Sequence, residues 1–140
     1  HLENRLGLML PVEYRKFLLQ SNGGEPVQYA IRFEGEKLNV GGSEVGFFYG
    51  VECGSNDIEV CLSLIKEFIP TGLLPFADTA SGDYFLISTR PDSKGVIYYK
   101  DHEIPDNTEF NEECSKLPES IVKVAGSFGE FLSRLFDPDQ

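Results

Sequence analysis

Several residue types are scarce in this chain of 140 residues, and each scarcity excludes a class of protein. There are only three cysteines, Cys53, Cys61 and Cys114, and their odd number and wide spacing give neither a disulfide framework nor a C-x-x-C metal motif. We therefore expect reduced thiols and a cytoplasmic protein. No apolar run approaches the roughly 18 residues that a membrane-spanning helix needs. His1 indicates a tag remnant or a trimmed N-terminus.

Basic residues are also few: 12 Lys and Arg stand against 23 Asp and Glu, which leaves a formal net charge of −11. Because a surface this acidic repels phosphate groups, we expect neither direct nucleic-acid binding nor docking on an anionic membrane. A basic protein is the partner that this charge favours, because long-range attraction speeds its capture.

The residue patterns of common enzymes are missing as well. His102 is the one internal histidine, and Asp101 and Glu103 beside it with Asp106 make neither a tetrahedral zinc set nor an EF-hand loop. No G-x-S-x-G elbow, P-loop or G-x-G-x-x-G motif is present. Cys61 lies on the apolar stripe of a predicted helix, the usual place of an inert thiol. We expect no enzyme, no metal site and no cofactor.

Hydrophobic periodicity predicts three helices and several strands. The first helix begins near Pro11 and ends at Asn22-Gly23-Gly24, with a glycine available for the left-handed cap. Capping boxes predict the starts of the other two, at Asn56 with Glu59 and at Ser127 with Glu130. The β-rich segments are 29–33, 45–49, 84–88, 96–99 and 121–124.

The order of these segments predicts an α+β fold. A loop at 90–95 has the residues of a hairpin connection, which favours antiparallel pairing of its flanking strands. We therefore expect a mostly antiparallel sheet with helices packed on one face. The length and the lack of a linker or repeat predict a single domain over residues 1–140.

Acidic residues are concentrated after the fourth β-rich segment, where no Lys or Arg interrupts them. These residues are Asp101, Glu103, Asp106, Glu109, Glu112 and Glu113. Tyr98, Tyr99 and Phe110 provide apolar anchors beside the charge. Two interpretations stay open: a solvated acidic loop, or a docking surface for a basic protein.

Four motifs occur in a fixed order along the chain. Residues 6–24 have the pattern L-G-x-x-L-P-x-x-Y-x-x-F-L…N-G-G, and residues 73–84 contain L-P-F-A-D…G-D-Y. Residues 96–103 are similar to a strand end V-Y-Y-W-D-H-E, and residues 124–132 are similar to a closing helix. The ordered set resembles the SUKH superfamily, which contains many bacterial immunity proteins and a yeast cell-wall-synthesis regulator.

The resemblance implies a SUKH-like fold and partner binding without catalysis. It implies an immunity protein that binds and neutralises a cognate polymorphic or contact-dependent toxin, and the charge favours a basic, nuclease-type toxin domain. The alternative is a regulatory scaffold domain with a non-toxin client. Asp78 and Asp83 lie in the motifs and are lesser contact candidates, for which bracing of the fold is favoured. We expect a monomer or a weak homodimer, since an exposed edge strand can pair two copies.

Overall fold

The computed structural model describes residues 2–33, 42–52, 54–79, 81–101 and 121–139, and the fold is given for these residues. The helices are α1 (Leu2–Leu6), α2 (Val12–Ser21), α3 (Ile58–Ile65) and α4 (Phe128–Ser133). The strands are β1 (Ala30–Arg32), β2 (Gly42–Glu44), β3 (Leu73–Asp78), β4 (Tyr84–Ser88), β5 (Ile97–Lys100) and β6 (Ile121–Ala125). Short 3-10 turns occupy Gly54–Asn56 and Lys66–Phe68.

Strands β3 to β6 form an antiparallel sheet in which each strand pairs with the next along the chain. Phe85 lies opposite Tyr99, and Leu86 lies opposite Tyr98, across the β4–β5 hairpin. Strands β1 and β2 form a separate antiparallel pair. The α+β class is confirmed, and the strands expected at 84–88, 96–99 and 121–124 are each found within a residue of their expected bounds.

The edge of the sheet differs from the prediction. The residues expected as a strand at 45–49 do not belong to β2, which ends at Glu44, but run beside β3. The Tyr49 amide donates to the Phe76 carbonyl at 2.8 Å, and Phe48 bridges to Ala77. Strand β3 itself was not predicted, because its first five residues are all buried and so show no alternation of polar and apolar positions.

Helix ends also differ in detail from the expected caps. Asp57, not Asn56, caps α3: its carboxylate accepts from the amides of Glu59 at 2.8 Å and Val60 at 3.2 Å. Asn22, not a glycine, takes the left-handed position after α2, with φ 43°. The cap of α4 is confirmed, since the Ser127 hydroxyl accepts from the Glu130 amide at 3.1 Å.

The main core is aromatic and lies between one face of the sheet and the helices. Phe131 of α4 packs on Phe76 and Phe85 of the sheet, with ring centroids 5.3 and 5.2 Å apart. Tyr14 of α2 meets Phe128 of α4 at 5.1 Å. Burying each such ring contributes about 1.5–3 kcal/mol, so this layer fixes how α2 and α4 sit on the sheet.

Alternate residues of β4 and β5 point to the second face, where a smaller cluster forms. Leu86 and Tyr98 pack there with Ile65 at the end of α3 and with Ile69 beyond it. Helix α3 therefore contributes to both clusters, since its first residue, Ile58, belongs to the main core.

Candidate interaction site

Three of the predicted acidic residues come together at one end of the sheet. Asp78, Tyr84, Lys100 and Ile121 are successive register partners and form one row across β3, β4, β5 and β6. Asp83 and Asp101 lie directly next to this row along the chain. We call Asp78, Asp83 and Asp101 the acidic sheet end. Within it, however, the three carboxylates have different surroundings.

Asp83 is buried, with 6% of its surface exposed, and its contacts are internal. Its carboxylate accepts hydrogen bonds from the Tyr99 hydroxyl and, at 3.3 Å, from the Ser81 hydroxyl. Its amide donates to the Thr79 hydroxyl at 3.0 Å, which closes the turn between β3 and β4. Burial, and next the hydrogen bond to Asp83, raise the pKa of Tyr99, so the phenol keeps its proton and stays a donor. These are the contacts of a structural brace.

Asp78 is half-buried and holds the edge segment against β3. Its Oδ1 accepts from the Phe47 amide at 2.9 Å, while its carbonyl accepts from the Gly46 amide at 2.8 Å. A Cβ at Gly46 would lie 2.6 Å from Oδ1, so a larger residue there would displace this carboxylate. Phe47, whose amide donates to this carboxylate, is 39% exposed, and no sequence pattern indicated it.

Two of the three predicted aromatic anchors, Tyr98 and Tyr99, occupy interior positions. Tyr98 is 8% exposed in the second-face cluster, and Tyr99 is 2% exposed in the main core. Side chains so enclosed have little surface to present to a partner. Asp101 is half-buried at the end of β5. The other predicted contact residues lie outside the described residues: Glu103, Asp106, Glu109, Phe110, Glu112 and Glu113.

A second acidic group, which the sequence patterns did not indicate, surrounds Tyr29. The Tyr29 hydroxyl donates to the Asp139 carboxylate at 2.8 Å. This hydrogen bond is the largest of several effects that raise the pKa of Tyr29 to about 12, and the nearby charges of Glu44 and Asp137 act in the same direction. We call Tyr29, Glu44, Asp137 and Asp139 the Tyr29 cluster. It joins the start of β1, the end of β2 and the residues after α4.

Groups typical of catalysis are not assembled in the described ranges. Among residues 2–33, 42–52, 54–79, 81–101 and 121–139, no three His, Cys, Asp or Glu side chains could together hold a metal ion. Burial raises the pKa of the Cys61 thiol, which lies 3.6 Å from the Ser55 carbonyl, so this thiol is poorly suited to act as a nucleophile. Cys53, His102 and Cys114 lie outside the described residues. None of the helices in the described part is long and apolar enough to cross a membrane.

Fold and charge together define an acidic α+β domain built on an antiparallel sheet with an aromatic helix-covered face. The chain belongs to the SMI1 / KNR4 family (SUKH-1), whose family model matches residues 1–134. The match confirms the resemblance that the four ordered motifs indicated. No curated protein sequence matches the chain closely enough to count as a relative.

Proposed function

We propose that this protein is an immunity protein, which binds a basic toxin domain and neutralises it without catalysing a reaction. Membership of the SUKH-1 family supports a role of the immunity or the SMI1/KNR4 type. The observation that favours the immunity role is the net charge of −11, of which six carboxylates lie within residues 101–113 without an intervening cation.

An acidic inhibitor and nucleic acid would compete for one surface of a nuclease toxin. A nuclease domain needs Lys and Arg side chains to hold phosphate groups. An acidic protein is attracted to the same side chains, and its carboxylates can occupy the places of the phosphates. Charges at the rim of such an interface mainly raise the association rate, which suits an inhibitor that must act before the toxin reaches nucleic acid.

On this proposal, the acidic sheet end and the residues next to it in the chain have two roles. Asp101 and the carboxylates from Glu103 to Glu113 attract the toxin, and Asp78 presents its charge where its carboxylate binds the amide of Phe47, an exposed aromatic residue. Asp83 and Tyr99 hold the strands in register through their buried hydrogen bond. A partner that lies across this end would meet charge next to an aromatic surface, the usual composition of an interface centre with a polar rim.

The direct test is co-expression with the C-terminal domain of a large secreted toxin encoded next to this gene. We expect restored growth and recovery of a one-to-one complex. Charge reversal of Glu109, Glu112 and Glu113 should slow association about tenfold and flatten its salt dependence. The matched control is Glu67→Lys, an exposed position on the turn after α3. Equal association rates for the triple variant and the control would contradict this surface.

Failure to find any toxin partner would test the immunity role itself. If no neighbouring toxin exists, or if growth is not restored and no complex forms, the immunity role is wrong. The regulatory scaffold role that the same family membership supports would then take its place.

A further inference from the structure

An open groove lies on the side of the molecule where the turn after α2 approaches α4. It has a volume of about 490 Å³, and its apolar lining includes Phe17, Pro26, Phe48 and Leu132. Val27, also in the lining, is 84% exposed. We call this the Pro26 groove. Its shape and its apolar surface are those of a seat for one or two side chains.

The floor of the Pro26 groove is rigid. Gly24 and Phe48 exchange two backbone hydrogen bonds, of 3.0 and 2.8 Å. Gly23, at φ +91°, lies so near that a Cβ there would be 2.6 Å from the Phe48 carbonyl oxygen. The Phe17 and Phe48 rings pack with centroids 5.1 Å apart. A preformed floor of this kind reduces the conformational entropy that a ligand would otherwise lose on binding.

The groove wall, in contrast, has unused backbone groups. Among the described residues, no hydrogen bond engages the backbone of residues 25–28. A Cβ at Gly24 would meet nothing within 4 Å, so the approach to this wall is open. The carbonyls of residues 25–28 and the amides of Glu25, Val27 and Gln28 can therefore bond a partner segment, whereas Pro26 has no amide hydrogen.

Carboxylates line the side of the wall that faces the Tyr29 cluster. Glu25 and Pro26 also border a second hollow of about 350 Å³, which reaches Tyr29 and Glu44. Glu25, Glu44 and Asp139 are exposed, and Asp137 is half-exposed. We call Glu25, Glu44, Asp137 and Asp139 the carboxylate rim.

Two arginines from the same parts of the chain, Arg32 and Arg134, have other contacts. The Arg32 guanidinium lies 5.0 Å from the centroid of the Phe136 ring, and Arg134 donates to the carbonyls of Val124 and Arg32. Among the described residues, no ion pair includes a member of the carboxylate rim. Four carboxylates without an ion pair in this part of the structure favour a basic partner.

We propose that the Pro26 groove binds an extended, basic segment of the partner protein, with an apolar side chain in the groove and Lys or Arg side chains at the carboxylate rim. The inference rests on the proposed function, because it assigns this segment to the toxin domain. Charge complementarity selects the occupant: a second copy of this chain, at net charge −11, or an acidic peptide would be repelled at the rim.

The groove can be tested without the toxin by titrating the ¹⁵N-labelled protein with two synthetic peptides. One alternates Leu and Arg over ten residues, and the other alternates Leu and Glu. We expect the Leu/Arg peptide to shift the amide resonances of residues 23–25, 27, 28 and 45, and the Leu/Glu peptide to leave them in place. Val27→Asp or Glu44→Lys should weaken binding about tenfold, whereas Glu67→Lys should not. Shifts confined to the acidic sheet end, or equal peptide affinity in all variants, would overturn the proposal that the groove binds the peptide.

The same variants separate this proposal from the proposed function. If Val27→Asp and Glu44→Lys still neutralise the toxin with unchanged affinity, the groove is not its binding site, although the immunity role stands. If the Leu/Arg peptide binds in the groove but no toxin is neutralised, the groove is supported as a site for basic segments. The assignment of that segment to a toxin is then wrong. Loss of toxin binding in both groove variants, with the Glu67→Lys control unaffected, supports both.

Discussion

The acidic sheet end and the Tyr29 cluster have similar charge but use it differently. At the sheet end, Asp83 is buried and accepts from a tyrosine hydroxyl, and Asp78 accepts from a backbone amide. In the Tyr29 cluster, Glu44 and Asp139 are exposed, and the tyrosine that donates to Asp139 lies at the surface. A carboxylate with internal donors stabilises the fold, whereas an exposed one mainly shapes the field that a partner meets. Substitutions in the two regions should therefore differ in what they change.

The largest expected effect is that of Asp83→Ala. Removing the carboxylate leaves the buried Tyr99 hydroxyl without its Asp83 acceptor and also removes the acceptor of the Ser81 hydroxyl in the turn after β3. We expect a loss of about 2–3 kcal/mol in the free energy of unfolding, measured by urea denaturation. Asp83→Asn, which retains an acceptor, should lose less. A change as small as that of a surface substitution would show that Asp83 does not brace the sheet.

Asp78→Ala should have an intermediate effect. The Phe47 amide loses its acceptor at the surface, where water can replace part of the bond. We expect a destabilisation of about 1 kcal/mol and faster hydrogen exchange at Phe47. Asp101→Ala, a half-buried residue of the same sheet end, provides the comparison. Unchanged exchange at Phe47 would mean that the carboxylate does not hold the edge segment in solution.

The buried tyrosines provide a third test, in which one substitution is expected to maintain or raise stability and the other to lower it. The Tyr14 hydroxyl is fully buried, and no hydrogen-bond partner for it is found in the part of the chain that is described. Tyr14→Phe removes an unsatisfied polar group and should leave stability unchanged or raise it by up to about 1 kcal/mol. Tyr99→Phe removes a donor that Asp83 needs and should destabilise. Equal losses from the two substitutions would contradict this distinction.

Local patterns in the sequence predicted most of the sheet but only part of the site. Strands β4, β5 and β6 were found because β-branched and aromatic residues cluster in them between turn residues. Strand β3 was missed because burial on both faces removes the alternation that indicates a strand. Asn56 and Asp57 are both good capping residues, and sequence alone does not tell which one adopts the extended backbone of the cap.

The two acidic regions differ in how much of each the sequence could indicate. Asp78 and Asp83 belong to one short motif, for which bracing of the fold was favoured, but with β3 missed neither their place at the sheet end nor their partners could be inferred. Tyr29, Glu44, Asp137 and Asp139 come from three distant parts of the chain. They meet only because Ala30 pairs with Phe136 and β1 pairs with β2. No periodicity or spacing indicates such a cluster before the fold is known.

The smallest expected effect on stability belongs to Asp139→Asn, and its main readout is a pKa. The hydrogen bond from Tyr29 to Asp139 is the largest reason that the pKa of Tyr29 is raised from 10.0 to about 12. Removing the charge should bring the pKa of Tyr29 back toward 10.0, as measured by the ultraviolet absorbance of the phenolate. Because the folded-state pKa is the higher one, the stabilising contribution of this pair is complete below pH 10.0 and is lost as the pH rises to about 12. Near pH 7 the effect on stability should be small, because the site is exposed and solvent screens the interaction. If the pKa of Tyr29 is the same in Asp139→Asn and in the unmodified protein, the carboxylates near Tyr29 do not act on it in solution. That result would also weaken the proposal that these carboxylates attract a basic segment to the Pro26 groove.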